Sequence, residues 1–153
     1  MEVSFKKISE REFERKQSTP ILFYDKLYSR CFGVIESKAS DYRFGWQSDL
    51  LDPIIKKVDA NIYAIGIDQN FAVVDFAQKR VLLNLSLFYN FHTVHSLNGY
   101  VFICTELEVL VINKLTFETV QSITLPDFFE KLVFEDEKIK VVCVGQLVVE
   151  LKI

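Results

Sequence analysis

The feature that most constrains this chain is a hydropathy pattern that returns after 38 residues, with 62–87 lying over 100–125 without a gap. IYAI falls on YVFI, FAVV on VLVI, and Leu85 and Leu87 on Ile123 and Leu125. Only Ile65/Ile103, Val73/Val111 and Leu87/Leu125 are identical, three positions in 26, so the repeat is one of apolar blocks and turns rather than of residues. Each block is short, bounded by turn formers and rich in β-branched and aromatic side chains, and none has the length or the 3.6-residue period of a helix. The stretch 61–87 therefore reads as three antiparallel strands: NIYAIGID, then FAVVDF after a break at Gln69 and Asn70, then VLLNLSL after a polar turn at 78–80.

Residues 139–151, IKVVCVGQLVVEL, supply a third copy of the first two strands, and 54–58, 91–95 and 131–135 supply a preceding strand for each copy. The expected fold is all-β: about ten to thirteen strands in consecutive antiparallel meanders. Inner strands such as 72–74 and 109–112 are apolar at odd and even positions, which requires cover on both sheet faces. VLLNLSL alternates as a half-exposed outer strand does. The core is expected to include Ile65, Val73, Val74, Leu83, Ile103, Val111, Ile112, Val142 and Val149. A period near forty residues of short β units resembles the blades of β-propellers, and the resemblance implies a partial propeller; a β-sandwich built from similar meanders is the alternative.

At 153 residues the chain fits one domain, which buries roughly 70% of its unfolded surface. Its parts are read as a polar arm, first strands and an aromatic connector over 1–53, then the blade-like repeats over 54–153. No apolar run is long enough to span a bilayer, and the opening MEVSFKKISERE is charged where a secretory signal is apolar, so a cytoplasmic protein without a membrane partner is expected. Cys31, Cys104 and Cys143 are widely spaced and odd in number, which reads as buried free thiols. The first thirty residues hold 7 Lys/Arg against 5 Asp/Glu, and the remainder 11 against 16. An acidic body without a basic stripe argues against direct nucleic-acid binding and favours a basic protein partner.

The segment 9–16, SEREFERK, carries a capping box in Ser9 and Glu12 and one large apolar residue, Phe13, which predicts at most a turn or two of helix with no apolar face to dock it. ILFYD after Pro20 and 31–36, CFGVIE, read as added strands. Residues 41–53, DYRFGWQSDLLDP, read as an irregular connector. Either Trp46 and Phe44 plug the core, or Tyr42, Arg43 and Trp46 form a partner-facing patch beside Asp49 and Asp52, since Trp, Tyr and Arg are the side chains enriched at binding hot spots. The acidic run Glu135, Asp136 and Glu137 is a second candidate surface.

Signatures of catalysis are missing: there is no GxSxG, HExxH, Walker loop or GxGxxG. His92 and His95, three apart on a strand, are expected on opposite faces, which does not suit a metal pair. No cofactor is expected, and the protein is expected to be a binder rather than an enzyme. In size, acidity, β-richness and the run WQSDLLDP…IYAIGID…FAVVDF the chain is similar to bacterial immunity proteins of contact-dependent growth inhibition and related polymorphic toxin systems. That resemblance implies a cognate protein toxin, basic if it is a nuclease, as the partner. Alternatives are a small-molecule binder or enzyme and a homo-oligomeric structural protein.

Overall fold

The computed structural model describes residues 2–153. The chain forms two compact units, Met1–Phe88 and Tyr89–Ile153. The fold is all-β and consists of four consecutive antiparallel meanders. Fourteen strands are present among the described residues, more than the ten to thirteen expected.

In the first unit, sheet 1 comprises β1 (Ser4–Ile8), β2 (Cys31–Glu36) and β3 (Asp41–Trp46), with α1 (Glu10–Arg15) between β1 and β2. Sheet 2 is the meander of β4 (Ile54–Asp59), β5 (Ile62–Ile67), β6 (Asn70–Asp75) and β7 (Arg80–Ser86). The two share an apolar layer in which Ile35, Tyr42, Phe44 and Trp46 of sheet 1 meet Ile65, Ile67, Ala72 and Val74 of sheet 2. Phe5 stacks on Phe44 with ring centroids 5.8 Å apart, and its ring crosses Gly33 so closely that a Cβ there would sit 2.5 Å from it. A glycine is required at that crossing because any side chain would displace the ring.

Residues 41–46 form a regular strand, not part of an irregular connector as expected. Its aromatic run looks irregular as text because both faces are buried, which removes the polar alternation that marks a half-exposed strand. ILFYD, expected as an added strand, is not a strand of its own. Ile21 makes an isolated parallel bridge to Arg43, and Leu22 N–H and Gly45 N–H close bonds of 2.9 Å to Arg43 O and Phe23 O, so 20–23 runs along β3.

In the second unit, sheet 3 comprises β8 (Phe91–Leu97), β9 (Tyr100–Thr105), β10 (Glu108–Asn113) and β11 (Thr119–Thr124). Sheet 4 comprises β12 (Phe129–Glu135), β13 (Lys138–Cys143) and β14 (Val148–Leu151). Phe102, Cys104, Val109 and Val111 pack with Phe129, Val141, Cys143 and Leu151 to form its core.

The 38-residue repeat is real in the backbone. Moved by that period, β5 and β6 coincide with β9 and β10, and a second step brings β5 onto β13. The closing bonds move with it. Phe76 N–H to Asn61 O, 3.0 Å, returns as Lys114 N–H to Gly99 O, 2.9 Å, and Leu87 N–H to Gln69 O, 2.8 Å, returns as Leu125 N–H to Leu107 O, 2.8 Å. Lys79 and Phe117, one period apart, both take a left-handed φ, 56° and 57°. Since their side chains have nothing in common, the turn geometry is imposed by the hairpin and not by residue preference.

Of the expected core, Ile65, Val73, Val74, Ile103, Val111 and Ile112 are fully buried, whereas Leu83, Val142 and Val149 are half-buried. On β13 the buried positions are Val141 and Cys143. The strand alternates there, so Val142 falls on the opposite face.

Candidate functional site

In sheet 1, strand alternation sends Tyr42, Phe44 and Trp46 into the apolar layer and Arg43 to the other face, beside Phe32 and Val34. Here α1 docks. Ser9 caps it, its Oγ accepting from Glu12 N–H at 3.1 Å, and Phe13, 2% exposed, is buried against Tyr24 and Phe32. A single aromatic thus anchors a helix whose sequence shows no apolar stripe. Arg43 secures the crossing: its Nη1 donates to Phe13 O at 2.6 Å, its Nε donates to Thr19 O at 2.7 Å, and its guanidinium lies 4.7 Å over the Phe13 ring. A cation at the last turn of a helix meets the negative end of the backbone dipoles.

Tyr42, Arg43 and Trp46 are therefore not a partner-facing patch. All three are buried, at 4%, 9% and 1% exposure, and act as structural plugs. They face inward because the stretch that carries them pairs with β2 over its whole length.

The exposed part of the connector begins after Trp46. Trp46 Nε1 donates to Ser48 O at 2.9 Å, and the Asp68 carboxylate, on the β5–β6 turn, accepts from Gln47 N–H and Ser48 N–H, both at 2.9 Å. Gln69 O takes Leu87 N–H, and Gln69 Nε2 donates to Phe88 O at 3.2 Å. On the other side, Arg30 N–H donates to Trp46 O at 2.7 Å. The turn before it is closed by Asp25, whose Oδ1 accepts from Leu27 N–H and Tyr28 N–H, and by Ser29 Oγ, which accepts from Asp25 N–H. A ladder of bonds thus links the turns at 25–30, 47–53, 68–69 and 87–88 at one end of the two sheets.

This end carries every large apolar side chain of the first unit that is more than half exposed among the described residues: Leu27 72%, Tyr28 58%, Leu50 90%, Leu51 56% and Phe88 82%. The opposite end, with its turns at 37–40, 60–61 and 76–79, has none. Asp49 and Asp52 lie exposed on the connector, and sequence reasoning did not single out the exposed Leu50, Leu51 and Phe88. The available signal was apolar residues inside turn segments, where none is needed for a core.

Charges at this end are largely occupied. Asp52 pairs with Lys7 at 2.5 Å, which raises the lysine pKa, and Asp25 and Asp68 are engaged by main-chain N–H groups. Asp49 is exposed on the connector beside Leu50. Cys31, half-buried and 3.7 Å from Ser48 O, has its thiol pKa pushed up by burial first and then by Asp49, with Asp68 and Asp52 adding and Lys7 opposing. The thiol is thereby held protonated, unlike a nucleophilic cysteine.

No protein-family model matches the chain, and no curated protein matches it.

The remaining candidates lie in the second unit. Glu135, Asp136 and Glu137 form the β12–β13 turn, with Asp136 and Glu137 at left-handed φ of 50° and 62° and Glu135 within 3.4 Å of Lys140 Nζ. His92 and His95 are not on opposite faces as expected. The irregularity between Phe91 and Thr93 shifts the register, and the two rings pack edge-on against Phe129 and Phe134, both on β12. Among the described residues, no group of three or more His, Cys, Asp or Glu side chains is placed to hold a metal ion, and no helix is long and apolar enough to cross a membrane.

Proposed function

We propose that this chain is a non-enzymatic binding protein that captures another protein, and that its biological role is that of an immunity protein which neutralises a cognate bacterial toxin. One observation supports this more than any other: five large apolar side chains stand exposed together at one end of the first unit, on turns braced by hydrogen bonds. An exposed apolar cluster with a polar rim marks an interaction surface. Bracing lowers the entropy lost on binding, so such a surface is ready to act without rearrangement. Asp49 and Asp52 contribute the rim, and Trp46 holds the connector at its base through Ser48 O.

The test is to sequence the genes that flank this one and to co-express the chain with any large toxin-like product they encode. Rescue of growth together with a co-eluting complex is the expected result, and toxicity undiminished by this chain, with no complex on gel filtration, would overturn the role.

A further inference from the structure

We infer that the partner offers this surface an apolar cleft with a single cationic group at its rim, rather than a polybasic groove filled by phosphate mimicry. The inference deepens the proposed binding role and rests on it. Charge decides between the two. Mimicry of a nucleic acid requires several carboxylates free to face the partner's Lys and Arg, because the attraction is a sum over many pairs. At this end the carboxylates of Asp25, Asp49, Asp52 and Asp68 stand beside the cations Lys7, Lys26 and Arg30, so the charges nearly balance, and Asp25 and Asp68 are turned toward main-chain N–H groups and Asp52 toward Lys7. Lys26 and Arg30 stand exposed in the 25–30 turn and would repel a polybasic groove. Asp49 is left to complement a positive charge, and it adjoins the most exposed apolar side chain of the unit, Leu50 at 90%.

The apolar part is built to enter a concavity. Leu50 and Leu51 sit, both exposed, at the tip of a connector that Asp68 and Trp46 fix at its base through Gln47 and Ser48. Leu27, Tyr28 and Phe88, on the neighbouring turns, supply the surrounding contact. A lipid surface would take the same side chains, but Asp49 and Asp52 flank the leucine tip and would be carried into the headgroup layer, where anionic lipid repels them. A protein cleft is the occupant the arrangement fits.

The experiment titrates whatever large toxin-like product the flanking genes prove to encode with the full chain and three variants, each first shown to melt like the parent. Leu50→Ser/Leu51→Ser is expected to weaken binding about a hundredfold, and Asp49→Asn by less than about tenfold. Raising sodium chloride from about 0.05 M to 0.5 M is expected to weaken the parent complex by less than about tenfold, since apolar contact is insensitive to screening. Lys38→Ala, in the 37–40 turn at the opposite end, is expected to bind as the parent does. A parent complex that survives Leu50→Ser/Leu51→Ser unchanged, or one that falls a thousandfold over that salt range, overturns this inference while leaving the binding role intact. No complex with the parent overturns both. Flotation of the parent with phosphatidylcholine vesicles, lost in the double serine variant, would assign the surface to lipid instead.

Discussion

Sheets 1 and 2 of the first unit are made of the same material and closed in different ways. Both have inner strands buried on both faces, Phe32–Ile35 in one and Phe71–Val74 in the other, and both contribute to one apolar layer. Sheet 2 is a plain meander joined by tight turns. In sheet 1 the chain leaves β1, forms α1, runs along β3 and turns at 25–30 before it enters β2. The detour costs order, which the buried Phe13 and the Arg43 bonds offset, and it delivers Leu27 and Tyr28 to the end where the β3–β4 connector presents Leu50 and Leu51. The contrast teaches that a repeated hairpin yields a stable sheet, whereas an interrupted one yields a sheet with a surface.

The comparison breaks at its base if the two sheets are not equally dependent on their cores. Phe44→Ala and Ile65→Ala, both in the shared layer, are each expected to cost about 2–5 kcal/mol in denaturant unfolding, from lost contacts and the cavity left behind. A cost under about 1 kcal/mol for either would show that its sheet is not held by the shared layer. Arg43→Met sharpens the contrast, because sheet 2 has no equivalent latch. It leaves Phe13 O and Thr19 O without the guanidinium and is expected to cost about 1–3 kcal/mol, with proteolysis of 9–30 faster than in the parent. An unchanged melting midpoint and cleavage rate would mean that the detour is held by other contacts.

Smaller effects bear on the bracing of the exposed end. Asp68→Ala removes the acceptor for two N–H groups at a half-exposed site and is expected to cost about 1–2 kcal/mol, at the lower side for charged acceptors. Hydrogen exchange at Gln47 and Ser48 should rise with it, and protection equal to the parent would dissolve the ladder. Ser9→Ala should cost about 1 kcal/mol through loss of the helix cap. The smallest effect is the titration of Cys31. Its folded pKa lies above the ordinary value of 9.0, with burial the first cause, so the folded state keeps its proton longer than the unfolded state. The contribution to stability is complete below that value and declines as the pH rises through the folded pKa. Alkylation of the native thiol at pH 8 should be slower than that of the unfolded chain, and Asp49→Asn should speed it only partly. Native and unfolded rates that coincide would show that burial leaves the thiol unperturbed.

The repeat and the all-β class were legible in the sequence because they depend on local alternation and turn spacing, which the residues 62–87 and 100–125 display directly. Strand boundaries in sheets 2, 3 and 4 are legible for the same reason. What the sequence could not show is which face of 41–46 is covered. Asp41–Trp46 reads as irregular until β2 is laid beside it, after which Tyr42, Arg43 and Trp46 are interior by alternation and pairing. Helix α1 has one apolar residue, and only the position of Phe32 and Tyr24 explains why one is enough. The exposed cluster is likewise a product of tertiary structure: Leu27, Leu50 and Phe88 are far apart in the chain, and antiparallel pairing brings their turns to the same end. Periodicity is a property of neighbours in sequence, so sequence determines it. A surface is a property of neighbours in space, and the pairing of strands decided it.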